Sequence, residues 1–135
     1  MDPRQKNIDA QKRWGEAIAS GDLDQLDDIL ADDFTDHDPG DYAPTREGLK
    51  EFFRDFRKAF PDLKPEVVEM TADDEHVSFR YTIRGTHKGE FRGHAPTGKS
   101  FEAPAMQIGR WRDGKCVERW GVTDQSKILE QLGLA

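Results

Sequence analysis

The hydrophobic pattern changes period once along the chain. Up to about residue 60 it recurs with helical spacing, and from about residue 64 it alternates. Ala10, Trp14, Ala17 and Ile18 form one helical stripe, and Gly21 is placed to stop it. Asp22 is positioned to cap a short second helix carrying Leu23, Leu26 and Leu30. The stretch FTDHDPGDYAP, residues 34–44, reads as a loop. Thr45 then caps a third helix. Its Leu49, Phe52, Phe53, Phe56 and Phe60 fall at i, i+3, i+4, i+7 and i+11, and Pro61 follows as a stop. This stripe, with Met106, is expected to be core.

Beyond it, Val77, Phe79, Tyr81 and Ile83 alternate with Ser78, Arg80, Thr82 and Arg84, the signature of a half-buried strand. The runs from Phe101 to Arg112 and from Lys115 to Asp124 flank Asp113-Gly114, a strong hairpin signal. Ser126 to Leu132 predicts a last short helix. Helices, then a mostly antiparallel sheet, then a terminal helix make an α+β fold, with residues 1–135 as one domain. Three helices laid on a strongly curved sheet would enclose a cone-shaped cavity.

A two-residue turn at Asp113-Gly114 pairs Arg112 with Lys115 and lets faces be assigned, because cross-strand partners share a face. Gln107 then opposes Trp120. On this register Gln107, Glu118, Trp120, Val122 and Asp124 share one face. Met106, Ile108, Arg110, Val117 and Arg119 share the other. Both faces carry large apolar groups, so one is expected to face the helices and a pocket and the other a second subunit. A β-bulge would shift the register and swap the assignment.

The formal net charge of -7 argues against nucleic acid as the main partner. Cys116 stands alone, which rules out an intramolecular disulfide and suits a reducing compartment. The N-terminal MDPRQKNIDAQKRW has no apolar signal-peptide core, and no apolar run approaches the ~20 residues of a membrane span. The expected location is the cytoplasm.

Two motif matches fail on context. GHAPTGKS, residues 93–100, fits the P-loop spacing but leads into strand-like FEAPAMQIGRW rather than a helix. Asp36, Asp38 and Glu47 fall at positions one, three and twelve of a calcium loop, yet Asp41 stands where that loop needs glycine. His37, His76, His87 and His94 show no zinc-ligand pairing.

Candidate chemistry rests on other residues. His37 is either a loop residue bonded to nearby aspartates or a pocket-edge group that relays a proton. Asp124 ends a strand. It either caps the terminal helix or, beside Trp120 in an apolar cavity, moves a proton to and from an acidic carbon. Arg80 and Arg84 either clamp a ligand oxygen or make ion pairs.

Taken together, DHDP at 36–39, AFPD at 59–62, RYTIRGTHKG at 80–89, PTGK at 96–99 and DGKCVERW at 113–120 resemble the SnoaL-like polyketide cyclases. The closing Asp124-Gln125 belongs to the same pattern. These proteins, also called ester cyclases, belong to the nuclear-transport-factor-2-like (ketosteroid-isomerase-like) superfamily. The resemblance implies a cone-shaped NTF2-like barrel with a deep apolar pocket and a homo-oligomer, dimer or tetramer, packed through the outer sheet face. It implies cofactor-independent, aldol-type ring closure of a small carbonyl-bearing molecule, with no metal, nucleic acid or membrane partner. It makes Asp124 the general acid/base, with His37 beside it, and Trp120 pocket wall. Gln107, Tyr81, Arg80, His87, Phe56 and Trp14 complete the expected substrate-binding set. A ligand-binding module without chemistry, or a hydrolase, dehydratase or hydroxylase on the same scaffold, is the alternative.

Overall fold

The computed structural model describes residues 2–134. Helix α1 (Pro3–Ser20) begins where the Asp2 side chain accepts from the Gln5 amide and ends at left-handed Gly21. Its stripe of Ala10, Trp14, Ala17 and Ile18 is buried. A 3-10 turn (Leu23–Gln25) leads into a single α-turn, α2 (Leu26–Ile29). Asp22 does not cap it; its carboxylate binds the Gln25 side chain instead.

Leu30 then leaves the helical region, and strand β1 (Leu30–Asp36) begins. The expected loop therefore starts only after Asp36. β1 was hidden because its residues are LADDFTD, and aspartate is a poor strand former. Tertiary pairing overrides that preference: β1 forms an edge of the sheet and runs parallel to its neighbour, the last strand of the chain. Helix α3 (Arg46–Ala59) starts at Thr45, whose side chain accepts from the Gly48 amide. Leu49, Phe53, Phe56 and Phe60 are buried, each ring or branch stabilising the fold by about 1.5–3 kcal/mol.

Strands β2 (Lys64–Ala72), β3 (His76–Thr86), β4 (Ser100–Arg112) and β5 (Lys115–Thr123) follow, and α4 (Gln125–Gln131) closes the described chain. The sheet order is β1-β5-β4-β3-β2, antiparallel except at β1. The helices cover one face, whose floor is Val77, Ile83, Phe101, Ala103 and Ala105. No helix among the described residues is long and apolar enough to cross a membrane.

The β4–β5 hairpin carries the main correction. Arg112 pairs with Lys115 as expected, and Asp113 and Gly114 both take positive φ. But the ladder slips between Arg110 and Trp111: Trp111 faces Cys116, whereas Arg110 faces Glu118. Val117 is the extra residue of a bulge. Beyond it Gln107 opposes Gly121, not Trp120. One slipped residue exchanges the faces of everything that follows. Arg119, Gly121 and Thr123 therefore share the inner face with Gln107, while Glu118, Trp120 and Val122 point outward.

The outer face pairs Ile108 with Trp120 and Met106 with Val122. Met106, expected in the core, is 57% exposed and Val122 is 66% exposed.

Candidate functional site

A cavity of about 950 Å³ opens between α3, the 38–43 loop, the 89–93 loop and the inner face of β5. Leu49, Phe52, Phe56 and Phe91 form its apolar wall, and Asp36 and Arg119 supply buried charge. Three elements bring those two charges together. The bulge turns Arg119 inward, the end of β1 delivers Asp36, and β4 supplies Gln107 beneath them.

Arg119 Nη1 donates to Asp36 Oδ1 at 3.0 Å, and its Nε donates to Gln107 Oε1 at 2.8 Å. The Arg119 side chain is 11% exposed and that of Asp36 3%. Asp36 Oδ1 also accepts the Asp38 amide at 2.9 Å, while Oδ2 takes no hydrogen bond among the described residues. Arg119 Nη2 lies over Gly121, and the guanidinium also reaches toward the Tyr81 hydroxyl. A Cβ at residue 121 would sit 2.5 Å from that nitrogen, so only glycine leaves room for the guanidinium there. Asp38 Oδ2 accepts the Gly121 amide at 2.8 Å and ties the 38–43 loop down beside the site. The result is a fixed cation facing the aromatic wall of the cavity, suited to holding an oxygen that gains negative charge.

Tyr81 stands next to this cluster on β3. Burial pushes its hydroxyl above the ordinary tyrosine range, against the opposing influence of Arg119 and Thr123. At the cavity rim Tyr42 donates to Asp55 Oδ2 at 2.7 Å. Burial and that carboxylate push Tyr42 up to about 12. The chain has only these two tyrosines. Near-ultraviolet titration should therefore show little tyrosinate at pH 10.0, where an unperturbed tyrosine is half ionised; a half-complete transition there would contradict both environments. Raised folded pKa values mean that the associated stability is complete below pH 10 and is lost as pH climbs toward 12.

The structure separates several residues that the sequence reading grouped. His37 directly follows β1 and turns to the outer face. Its ring stacks on Trp120 at 4.7 Å, and Nε2 lies 3.4 Å from Glu118 Oε2. Trp120 is thus outer surface rather than pocket wall. The Asp124 carboxylate accepts the Lys127 amide at 3.2 Å as the N-cap of α4, and Asp124 does not line the cavity. His37 and Asp124 therefore do not share a pocket. Arg80 also points outward and lies 3.5 Å from Glu69. Arg84 pairs with Glu66 in the same way.

His87 is fully buried but lines neither cavity described here. Its Nδ1 accepts the Thr97 amide at 3.2 Å and its carbonyl accepts the Gly98 amide, which closes the 87–98 loop. Phe56 does line the large cavity. Trp14, Tyr81 and Gln107 line a second chamber on the other side of α3.

Arg119 and Asp36 were not singled out together from sequence. The available signal was the apolar pair Cys116-Val117, two successive buried residues where a regular strand would alternate.

The SnoaL-like polyketide cyclase profile matches residues 8–132. Among solved structures, the chain is 34% identical to IdmH of Streptomyces antibioticus, described as a candidate polyketide cyclase. That match covers 94% of this chain and 98% of IdmH, with a TM-score of 0.84. It is 28% identical to AclR of Streptomyces galilaeus, described as a candidate hydroxylase, over 98% of each chain with a TM-score of 0.87. TsrD of Streptomyces laurentii shares the fold at 21% identity, with a TM-score of 0.90 over 100% of this chain and 99% of that one. No curated protein matches the chain.

Proposed function

Because the chain belongs to the SnoaL-like polyketide cyclase family, we propose that it catalyses aldol-type ring closure on a small carbonyl-bearing, polyketide-like molecule. The observation that carries this reading is the Arg119 guanidinium, gripped by Asp36 and Gln107 with Nη2 over Gly121. The substrate carbonyl oxygen accepts from Nη2. Asp36 Oδ2 takes a proton from the adjacent carbon, and the charge that moves onto the oxygen is held by the guanidinium. The enolate carbon then attacks a second carbonyl of the same molecule. One C–C bond forms, and the new alkoxide takes up the proton.

A carboxylate is a weak base, so the reading calls for an acidified carbon flanked by two carbonyls. The ring system rests on Phe52 and Phe56. Asp124 and His37 are assigned supporting roles, Asp124 as helix cap and His37 as cover for Trp120. The same reading expects self-association through the outer face around Met106 and Val122. Sedimentation as a monomer at every concentration would contradict that part.

The test is solvent exchange. An aromatic β-keto ester in deuterium oxide should exchange its α-proton faster with the protein than in buffer, and Arg119→Gln should lower that rate by about 10²–10³-fold. Binding of the ester without accelerated exchange would make the protein a ligand-binding module instead.

A further inference from the structure

One cross-strand row meets Arg119 on the inner face of the sheet. Tyr81 of β3 pairs with Ala105 of β4, and Ala105 pairs with Thr123 of β5. Cross-strand partners share a face, so the three side chains rise from the same side. Ala105 carries only a methyl group, which lets the Tyr81 phenol lean across it toward Thr123. The phenol ring packs on Phe79 at 5.1 Å, and the hydroxyl meets the Thr123 side chain and the Arg119 guanidinium. Arg119 reaches this row because Gly121, the residue it passes over, has no Cβ. The contacts with Asp36 and Gln107 fix two points of the guanidinium. Two points leave one motion open, a rocking of the plane about the line that joins them. A third contact, from a third strand, opposes that motion.

We propose that Tyr81 is a positioning residue for the reaction, its hydroxyl supporting the Arg119 guanidinium beside Asp36 of β1 and Gln107 of β4 and keeping it aimed at the substrate oxygen. Tyr81 lines the second chamber and not the large cavity, so it acts through Arg119 rather than on the substrate. Its protonation state suits the role. A tyrosinate would draw the charge of Arg119 away from the substrate oxygen, whereas burial holds the phenol neutral. The proposal rests on the aldol-type reading of the site. It adds that the rate depends on the angle of the guanidinium as well as on its presence, since a misplacement of about 1 Å can slow a reaction by about 10²-fold.

Tyr81→Phe tests this, because it keeps the ring on Phe79 and removes only the hydroxyl. With the aromatic β-keto ester in deuterium oxide, kcat for α-proton exchange is expected to fall by about 10–10²-fold while KM changes by less than about twofold. In NMR spectra the Arg119 guanidinium N–H signals, separate in the unaltered protein, are expected to broaden toward an averaged signal in the variant. An unchanged kcat, a rise in KM alone, or Arg119 signals that the substitution leaves in place would each overturn the proposal. If Tyr81→Phe fails to fold, the unaltered protein still decides. A nuclear Overhauser contact between the Tyr81 ring protons and the Arg119 guanidinium protons is expected, and its absence overturns the proposal. If the unaltered protein exchanges no α-proton, the aldol-type reading falls, and the Arg119 signals in Tyr81→Phe alone decide whether the hydroxyl holds the guanidinium.

Discussion

Arg119→Met is expected to lower folding stability by about 3–5 kcal/mol, a large share of the roughly 5–15 kcal/mol of a domain this size. Methionine fills much of the same space, so the loss comes from charge rather than volume. Asp36 would keep a carboxylate in a nearly dry position with its cation gone, and Gln107 Oε1 would lose its donor. The companion variant isolates the cause. Asp36→Asn combined with Arg119→Met removes both charges and should recover most of the loss, giving a strongly non-additive cycle. Urea unfolding of the four proteins measures this. Additive losses, or a loss below about 1 kcal/mol for Arg119→Met, would mean that water reaches the pair and screens it.

The second large effect is on turnover. Asp36→Asn should lower α-proton exchange by about 10²–10⁴-fold, since an amide cannot take the proton, while the ester still binds. Asp124 gives the contrast. Asp124→Ala removes the α4 cap and should reduce stability by about 0.5–2 kcal/mol, with exchange retained. Asp124→Asn should be nearly silent in both respects, because asparagine caps a helix as well as aspartate does. Steady-state exchange rates beside thermal unfolding of each variant separate the two carboxylates. A reversed pattern, with Asp124→Asn inactive and Asp36→Asn active, would return the acid/base role to the end of β5.

The difference between those aspartates shows what could be read from the chain. The Phe stripe of α3, the alternation in β3 and the Asp113-Gly114 turn are strong local patterns, and each appears in the structure with the expected partner residues. The α+β architecture follows from their order. What was not legible depends on single-residue geometry. A two-residue hairpin predicts a register, but a bulge at Val117 cancels it a few residues later. Both faces of β5 carry apolar groups, so burial pattern alone could not reveal the slip. Trp120 was thus placed inside and Arg119 outside, the reverse of what the ladder dictates. The same slip removed the reason for pairing His37 with Asp124, and it made Arg119 available to Asp36. β1 was missed for a different reason. Its aspartates argue locally for a loop, and only the parallel pairing with β5, more than eighty residues away, makes them a strand.

Of the sequence-derived site residues, Phe56 lines the large cavity, and Gln107, Tyr81 and Trp14 line the second chamber. Gln107 and Tyr81 sit on alternating strands whose inner face is anchored by Ile83 and Ala105, so their direction survives any slip in β5. Arg80 follows from the same alternation and lies on the opposite face.

The most direct measurement is a crystal structure with 2-hydroxy-1,4-naphthoquinone, a bicyclic enolate mimic. The account predicts its anionic oxygen in the large cavity at ~2.7–2.9 Å from Arg119 Nη2, the charge-assisted range, with the rings against Phe52 and Phe56. An oxygen held at Asp124, or rings stacked on Trp120 with the Arg119 cavity empty, would contradict it.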